Sequence, residues 1–218
     1  MIASCPAVFL DRDGVLVIPH FRDGRSFAPR RLEEFAIYPD AAACMGRLKA
    51  AGFKLIVATN QPDVGNGLVD RAIVEAMHAR LADVLPLDGI EVCYHTRADH
   101  CLCRKPQPGM LQAAAREFAL DMSRSFMVGD RASDIAAGIA AGCRTVFVDL
   151  GYTAESPPDD PTYHVTTIAG ATEAILQHRE QIGRQDALTE QDAASAKDAL
   201  TKTLRQIRTG KLPHETHE

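Results

Sequence analysis

Short apolar runs rich in strand formers alternate along this chain with stretches whose apolar residues recur at helical spacing. The runs predict strands at Ala7–Leu10, Lys54–Thr59, Ile90–Tyr94, Ser125–Gly129 and Thr145–Val148, with a weaker one near His164–Ile168. The helical spacing predicts helices near Asp40–Ala51, Val69–Val84, Pro108–Phe118, Ser133–Ala141 and Ala169–Gln181. Regular β-α-β alternation implies a Rossmann-like α/β fold, a mostly parallel sheet with helices on both faces. Several expected strand ends carry polar residues: Asp11, Thr59, Asn60, Asp130 and Asp149. In such a sheet that edge is where ligands and chemistry gather.

The segment Thr153–Pro161, TAESPPDDP, reads as a loop from its prolines and acids. Beyond about Gly183 the composition changes, which divides the chain into a domain over residues 1–182 and an extension over residues 183–218. In the extension, Leu200, Leu204 and Ile207 share a helical face with Ala193 and Ala196. Thr189–Arg208 is therefore expected to be an amphipathic helix packing on the body or on another subunit, so either a monomer or a dimer fits. The final HETHE is expected to be disordered. A net charge of −5 without a basic stripe argues against nucleic acid as the main partner. No apolar run reaches the length of a membrane span, and the amino terminus does not read as a signal peptide, so a cytoplasmic location is expected. Six cysteines in such a chain are expected to be reduced thiols or metal ligands.

The chemistry concentrates in AVFLDRDGVL, Ala7–Leu16. A buried strand delivers Asp11, Asp13 stands two places on, and Gly14 lets the backbone turn. One carboxylate can attack phosphorus while the other moves a proton. An isolated Asp-x-Asp is more often a polar turn, so the remaining pieces decide. Thr59 and Asn60 close the strand KLIVA, Arg104 and Lys105 lie in CRKP before a helix, and Asp130 ends SFMVGD with Asp134 four residues later. A phosphoryl group in transfer carries negative charge on its oxygens and calls for cations and fixed donors. Lys105 and Thr59 can supply these, while Asp11, Asp130 and the backbone carbonyl of Asp13 offer oxygen ligands to Mg²⁺.

Three cysteines are scattered among apolar or small residues, whereas Cys93, Cys101 and Cys103 crowd together around His95. Cys-x-His, five residues, then Cys-x-Cys has ligand spacing for a closed structural Zn²⁺ site, with His100 a competing fourth ligand. Such a site would pin the loop that leads into Arg104 and Lys105.

DRDGVL, TNQ, CRKP and MVGDRASD, in this order, resemble the four motifs of the haloacid dehalogenase-like hydrolases over residues 6–178. The resemblance implies that Asp11 forms an aspartyl-phosphate and that Asp13 acts as acid and base. It also implies that Thr59, Asn60, Gln61 and Lys105 lie against phosphate and substrate, that Asp130 completes the magnesium site, and that Asp134 orients it from behind. Asp at position 13 points to the phosphatase branch. The pattern C-x-H…C-x-C-R-K-P is similar to the D-glycero-D-manno-heptose-1,7-bisphosphate 7-phosphatases, which favours His95 as the zinc ligand and places Arg104 and Arg131 on substrate. Histidinol-phosphate phosphatases are close relatives, so that ester or another phosphorylated sugar or polyol stays as an alternative. A non-catalytic zinc-stabilised interaction module is an alternative of another class. The short gaps between motifs leave no room for a cap domain, so loops must select the substrate. TNQPDVGNG departs from the family's usual TNQSGIARG, with Asp63 for Gly and Asn66 for Arg, which brings a carboxylate toward a phosphate loop. The stretch between His95 and Cys101 is short, and the tail past Gly183 is longer than the family core needs.

Overall fold

The computed structural model describes residues 4–208. Strand β1 (Ala7–Leu10) leads into a hairpin of β2 (His20–Arg22) and β3 (Arg25–Phe27), then helix α1 (Ala41–Ala50) and strand β4 (Lys54–Asn60). A single turn α2 (Pro62–Gly65), helix α3 (Arg71–Val84), strand β5 (Gly89–Cys93) and helix α4 (Gly109–Glu117) follow. Strand β6 (Phe126–Gly129), helix α5 (Ala132–Ala140), strands β7 (Arg144–Val148) and β8 (Tyr163–Val165) and helix α6 (Ile168–Arg208) complete the chain.

Six strands form one parallel sheet in the order β5-β4-β1-β6-β7-β8. The expected Rossmann-like α/β class without a cap is therefore the observed one. Side chains along each strand alternate between two cores, as the period of two requires. Val8, Leu10, Leu55, Val57, Phe126 and Val128 join one core with Met45 and Leu48 of α1, Met77 and Leu81 of α3, and Ile168 and Ile175. Ala7, Phe9, Ile56, Ala58 and Met127 join the other with Met110, Leu111 and Ala114 of α4. Strands buried on both faces explain why β1 and β6 read as continuous apolar runs. The chain leaves β1 toward β4 on one side and β6 on the other, so the crevice at the carboxyl end of β1 is a topological switch point.

Three differences from the sequence reading have physical causes. The segment between Leu16 and Ala28, where the sequence predicts no strand, contains the β2–β3 hairpin, turned by Asp23 and Gly24 at φ 51° and 72°. Positive φ at both turn residues is the requirement of the tight hairpin turns that Asp-Gly favours. The last strand is Tyr163–Val165 rather than a run to Ile168, because the Thr167 hydroxyl accepts from the Gly170 amide and starts α6. The two helices expected on either side of Gly183 are one helix, α6. An isolated glycine is tolerated inside a helix, and the neighbouring residues are strong helix formers.

A first compact unit runs to Leu176 and a second begins at Gln177. Within the second, Leu200 and Leu204 are exposed. The HETHE segment lies outside the described residues. Among the described residues, no helix is long and apolar enough to cross a membrane.

Candidate active site

The three central strands deliver the site. Asp11 follows β1, Thr59 and Asn60 end β4, and Asp130 follows β6. Carboxylate oxygens of Asp11, Asp130 and Asp134 lie within 4.8 Å of one another, all on buried residues. Gly14, at φ +93°, makes room for this convergence: a Cβ there would stand 2.1 Å from Asp130 Oδ2. Lys105 threads into the cluster with 3 % exposure. Its Nζ pairs with Asp11 Oδ1 at 2.8 Å and Asp134 Oδ1 at 2.6 Å, and donates to the Ala58 carbonyl at 2.6 Å. All three ammonium donors are thereby committed.

Charge is concentrated here beyond what one lysine offsets. Burial, then the charges of Asp11 and Asp134, push Asp130 well above the usual carboxylate range. Burial likewise lifts Asp134 to about 6, although Lys105 pulls it down. Burial lowers the Lys105 pKa, but Asp11 and Asp134 more than offset that and leave it above its ordinary value. Among the described residues, Asp130 Oδ1 has no hydrogen-bond partner, while Asp11 Oδ1 and Asp134 Oδ1 face only the Lys105 ammonium. Buried, underpaired carboxylate oxygens on one wall are a donor set suited to a hard divalent cation such as Mg²⁺. Asp134 thus stands in the donor cluster as well as behind it, its second oxygen accepting from the Arg131 amide at 3.0 Å.

The carboxylate of Asp13 faces elsewhere. It accepts from Arg12 Nε at 3.1 Å, Arg12 Nη2 at 2.9 Å and Gln61 Nε2 at 2.8 Å. Gln61 Nε2 also donates to the Thr59 hydroxyl at 2.9 Å. Asn60 clamps the Lys105 backbone, donating to its carbonyl at 3.1 Å and accepting from its amide at 3.0 Å. Asn60 thus aims Lys105 while also lining the cavity. These groups open onto a cavity of about 1200 Å³ whose walls include Asp11, Asp13, Arg25, Arg97, Arg104 and Arg131. Arg131 is anchored by Nη2 on Ser26 (carbonyl 2.9 Å, hydroxyl 2.7 Å) and by Nη1 on Glu155 at 3.1 Å. Arg104 donates to the His95 carbonyl at 3.3 Å.

The second donor cluster follows β5. Cys93 is fully buried at the strand end, and the Sγ atoms of Cys93, Cys101 and Cys103 lie 3.3–3.7 Å apart. His95 Nδ1 is 3.6 Å from Cys93 Sγ and 3.2 Å from Cys103 Sγ. Tetrahedral Zn²⁺ with ordinary Zn–S bonds would separate thiolates by about 3.8 Å, so the set fits that ion. His95 and not His100 joins the cluster. Burial pushes the Cys93 thiol up to about 12, a cost that a bound cation removes by deprotonating its ligands.

Comparisons with known proteins agree with this geometry. A family model described as HAD-hydrolase-like matches residues 102–171. The D-glycero-β-D-manno-heptose-1,7-bisphosphate 7-phosphatase of Pseudomonas aeruginosa is 35 % identical over 178 residues, covering 78 % of this chain and 97 % of that protein. The chain belongs to this phosphatase family of HAD-like hydrolases. The Escherichia coli K12 protein of the same name is 36 % identical over 157 residues, covering 66 % of this chain and 79 % of that protein. The crystal structure of D,D-heptose 1,7-bisphosphate phosphatase from B. bronchiseptica, complexed with magnesium and phosphate, is 31 % identical with a TM-score of 0.68. That match covers 79 % of this chain and 99 % of the other.

Residues that the sequence reading left out also shape the site of this family member. Arg12 and His78 stand behind Asp13, and Tyr152 donates from its hydroxyl to Asp130 Oδ2 while its ring packs tilted against Phe21, centroids 5.2 Å apart. An arginine set between Asp11 and Asp13 directly after an apolar strand was the available signal for Arg12. The substituted phosphate loop is reconciled by Arg30, whose Nε holds Asp63 Oδ2 at 2.6 Å, so the extra carboxylate is neutralised locally.

Proposed function

We propose that this chain is a Mg²⁺-dependent phosphatase that converts D-glycero-β-D-manno-heptose 1,7-bisphosphate to the 1-phosphate. The observation that carries the reading is the convergence of Asp11, Asp130 and Asp134 around Lys105 at the switch point, with Asp13 held alongside. The relatives' names supply the sugar.

In this reading a carboxylate oxygen of Asp11 attacks the phosphorus of the 7-phosphate. The bond from phosphorus to the sugar oxygen breaks, and the proton on Asp13 goes to that oxygen. Asp13, now a carboxylate, takes a proton from water as the water attacks phosphorus, and the bond to Asp11 breaks to release phosphate. Asp11, Asp130 and the backbone carbonyl of Asp13, with Asp134 in reach, would hold Mg²⁺, whose charge would offset the repulsion between carboxylate and phosphoryl group. Lys105 holds Asp11 in place and adds positive charge beside the phosphoryl oxygens. Gln61 lines the same wall, and the Thr59 hydroxyl lies buried behind it, accepting from Gln61 Nε2. Arg104 and Arg131 suit the phosphate left on the sugar, because planar guanidinium forks bind phosphate in two-point fashion. The Cys93, His95, Cys101 and Cys103 cluster would hold Zn²⁺ and stiffen the approach to Arg104 and Lys105. A cytoplasmic setting accords with three unbridged cysteines and three that would serve as Zn²⁺ ligands.

Phosphorus NMR of the reaction with each anomer of heptose 1,7-bisphosphate, and with histidinol phosphate, tests the assignment. Mg²⁺-dependent loss of the 7-phosphate alone, fastest on the β anomer, is the expected result. Preference for histidinol phosphate, or loss of the 1-phosphate, would reject the assignment.

A further inference from the structure

Arg12 heads the fully buried side chains by size among the described residues, at 0 % exposure. A guanidinium there must place its donors on partners, because an unpaired buried charge is costly. One edge of the fork lies on Asp13, with Nε 3.1 Å from both oxygens and Nη2 2.9 Å from Oδ2. From the other edge Nη1 donates to His78 Nε2 at 3.1 Å, sixty-six residues away in sequence. The Phe35 ring covers the guanidinium face, its centroid 5.7 Å from Cζ. His78 sits on α3 at 7 % exposure, and burial together with the Arg12 charge pushes its pKa down to about 4. Its ring is therefore neutral at pH 7, and with a donor facing Nε2 the proton belongs on Nδ1.

A general acid works only if its proton points at the leaving oxygen. Asp13 stands on a turn after a strand, where its carboxylate could rotate. The Arg12 fork fixes the plane of that carboxylate, Gln61 holds Oδ2 from the cavity side, and His78 fixes the fork. We propose that His78 is a positioning residue for proton delivery, acting through Arg12 to hold the carboxylate of Asp13 in line with the leaving alcohol. The inference rests on the reading of Asp13 as the acid. Arg12 and His78 are buried and bond to Asp13 and to each other, away from the carboxylates of Asp11, Asp130 and Asp134.

The test exploits the leaving group. A sugar alcohol leaves only when protonated, whereas p-nitrophenolate leaves without an acid. With Mg²⁺ present, kcat/KM is measured on heptose bisphosphate and on p-nitrophenyl phosphate, so that only steps through the first bond cleavage are read. Asp13→Asn is the reference, expected to lose about 100-fold or more on the sugar and at least tenfold less on the aryl ester. His78→Leu should lose about 10-fold on the sugar and less than about 2-fold on the aryl ester. His78→Gln, which can present an acceptor to Arg12, should return the sugar rate to within about 2-fold of the native value. If Asp13→Asn lowers both esters equally, the acid role of Asp13 fails and His78 loses its purpose with it. If Asp13→Asn discriminates but His78→Leu does not, only the role of His78 is overturned. Should His78→Leu not fold, Arg12→Lys, which keeps the charge and loses the fork, must show the same leaving-group dependence or the proposal falls.

Discussion

The two donor clusters make an instructive pair. Both lie at the carboxyl edge of the sheet, one after β1 and β6 and one after β5, yet they solve opposite problems. The carboxylate cluster gathers hard oxygen donors of like charge, leaves some of them underpaired, and opens onto a cavity of about 1200 Å³. The thiol and imidazole cluster gathers four soft donors that fill a tetrahedral shell and leave no position for a substrate. Lys105 joins them, since it comes four residues after Cys101 and ends on Asp11 and Asp134. On the proposed reading, the difference teaches that one cluster is arranged to react and the other to hold the approach to Lys105 still.

The largest effect should come from the oxygen side. Asp11→Asn removes the proposed nucleophile and one arm of the Lys105 pair, and turnover should fall by about 10⁴-fold or more while circular dichroism stays native. Residual turnover within about 10-fold of the native rate would break the division of labour.

Cys101→Ser probes the other side. Zinc content should drop, and the melting temperature should fall by on the order of 10 °C. Turnover should fall by only about 10-fold, because Lys105 is loosened rather than lost. One zinc per chain with unchanged melting would show that the thiol cluster is not a metal site.

Acid sharpens the comparison through His78. Its pKa is about 4 in the folded chain against about 6.5 when exposed, so the unfolded chain binds more protons between those values. The stability involved is fully present above about pH 6.5 and is lost as pH falls toward 4, amounting to about 3 kcal/mol. Denaturant titrations at pH 7 and pH 4.5 should show a smaller acid loss in His78→Gln than in the native chain. The smallest effect belongs to the cavity rim: Arg30→Ala frees Asp63, a partly exposed pair, and should cost less than about 1 kcal/mol. A weaker apparent affinity for the bisphosphate in that variant would mark Asp63 as the carboxylate that Arg30 keeps away from phosphate.

Much of this was legible in the chain, and the limits are physical. β1, β4 and β6 were visible because strands buried on both faces read as apolar runs. Asp11 and Asp130 were visible because each directly follows such a strand, and Lys105 because CRKP precedes a helix. The β2–β3 hairpin was not, since strands of three residues are too short to show a period, although Asp23-Gly24 marked its turn. His95 rather than His100 was already favoured by the C-x-H…C-x-C-R-K-P pattern, and the loop's path brings His95 to the thiols. Arg12 with His78 and Arg30 with Asp63 are contacts across 66 and 33 residues, which no local pattern encodes. The unbroken α6 shows a composition change passing through a helix without ending it.

The most direct test of the central claim is an acid-quenched single turnover of heptose bisphosphate with Mg²⁺, followed by mass spectrometry of the digested chain. A phosphoryl group on the peptide carrying Asp11, absent when Mg²⁺ is withheld and absent in Asp11→Asn, is the expected result. Turnover with that peptide unmodified, or with the phosphoryl group on a different residue, would contradict Asp11 as the nucleophile at the centre of the carboxylate cluster.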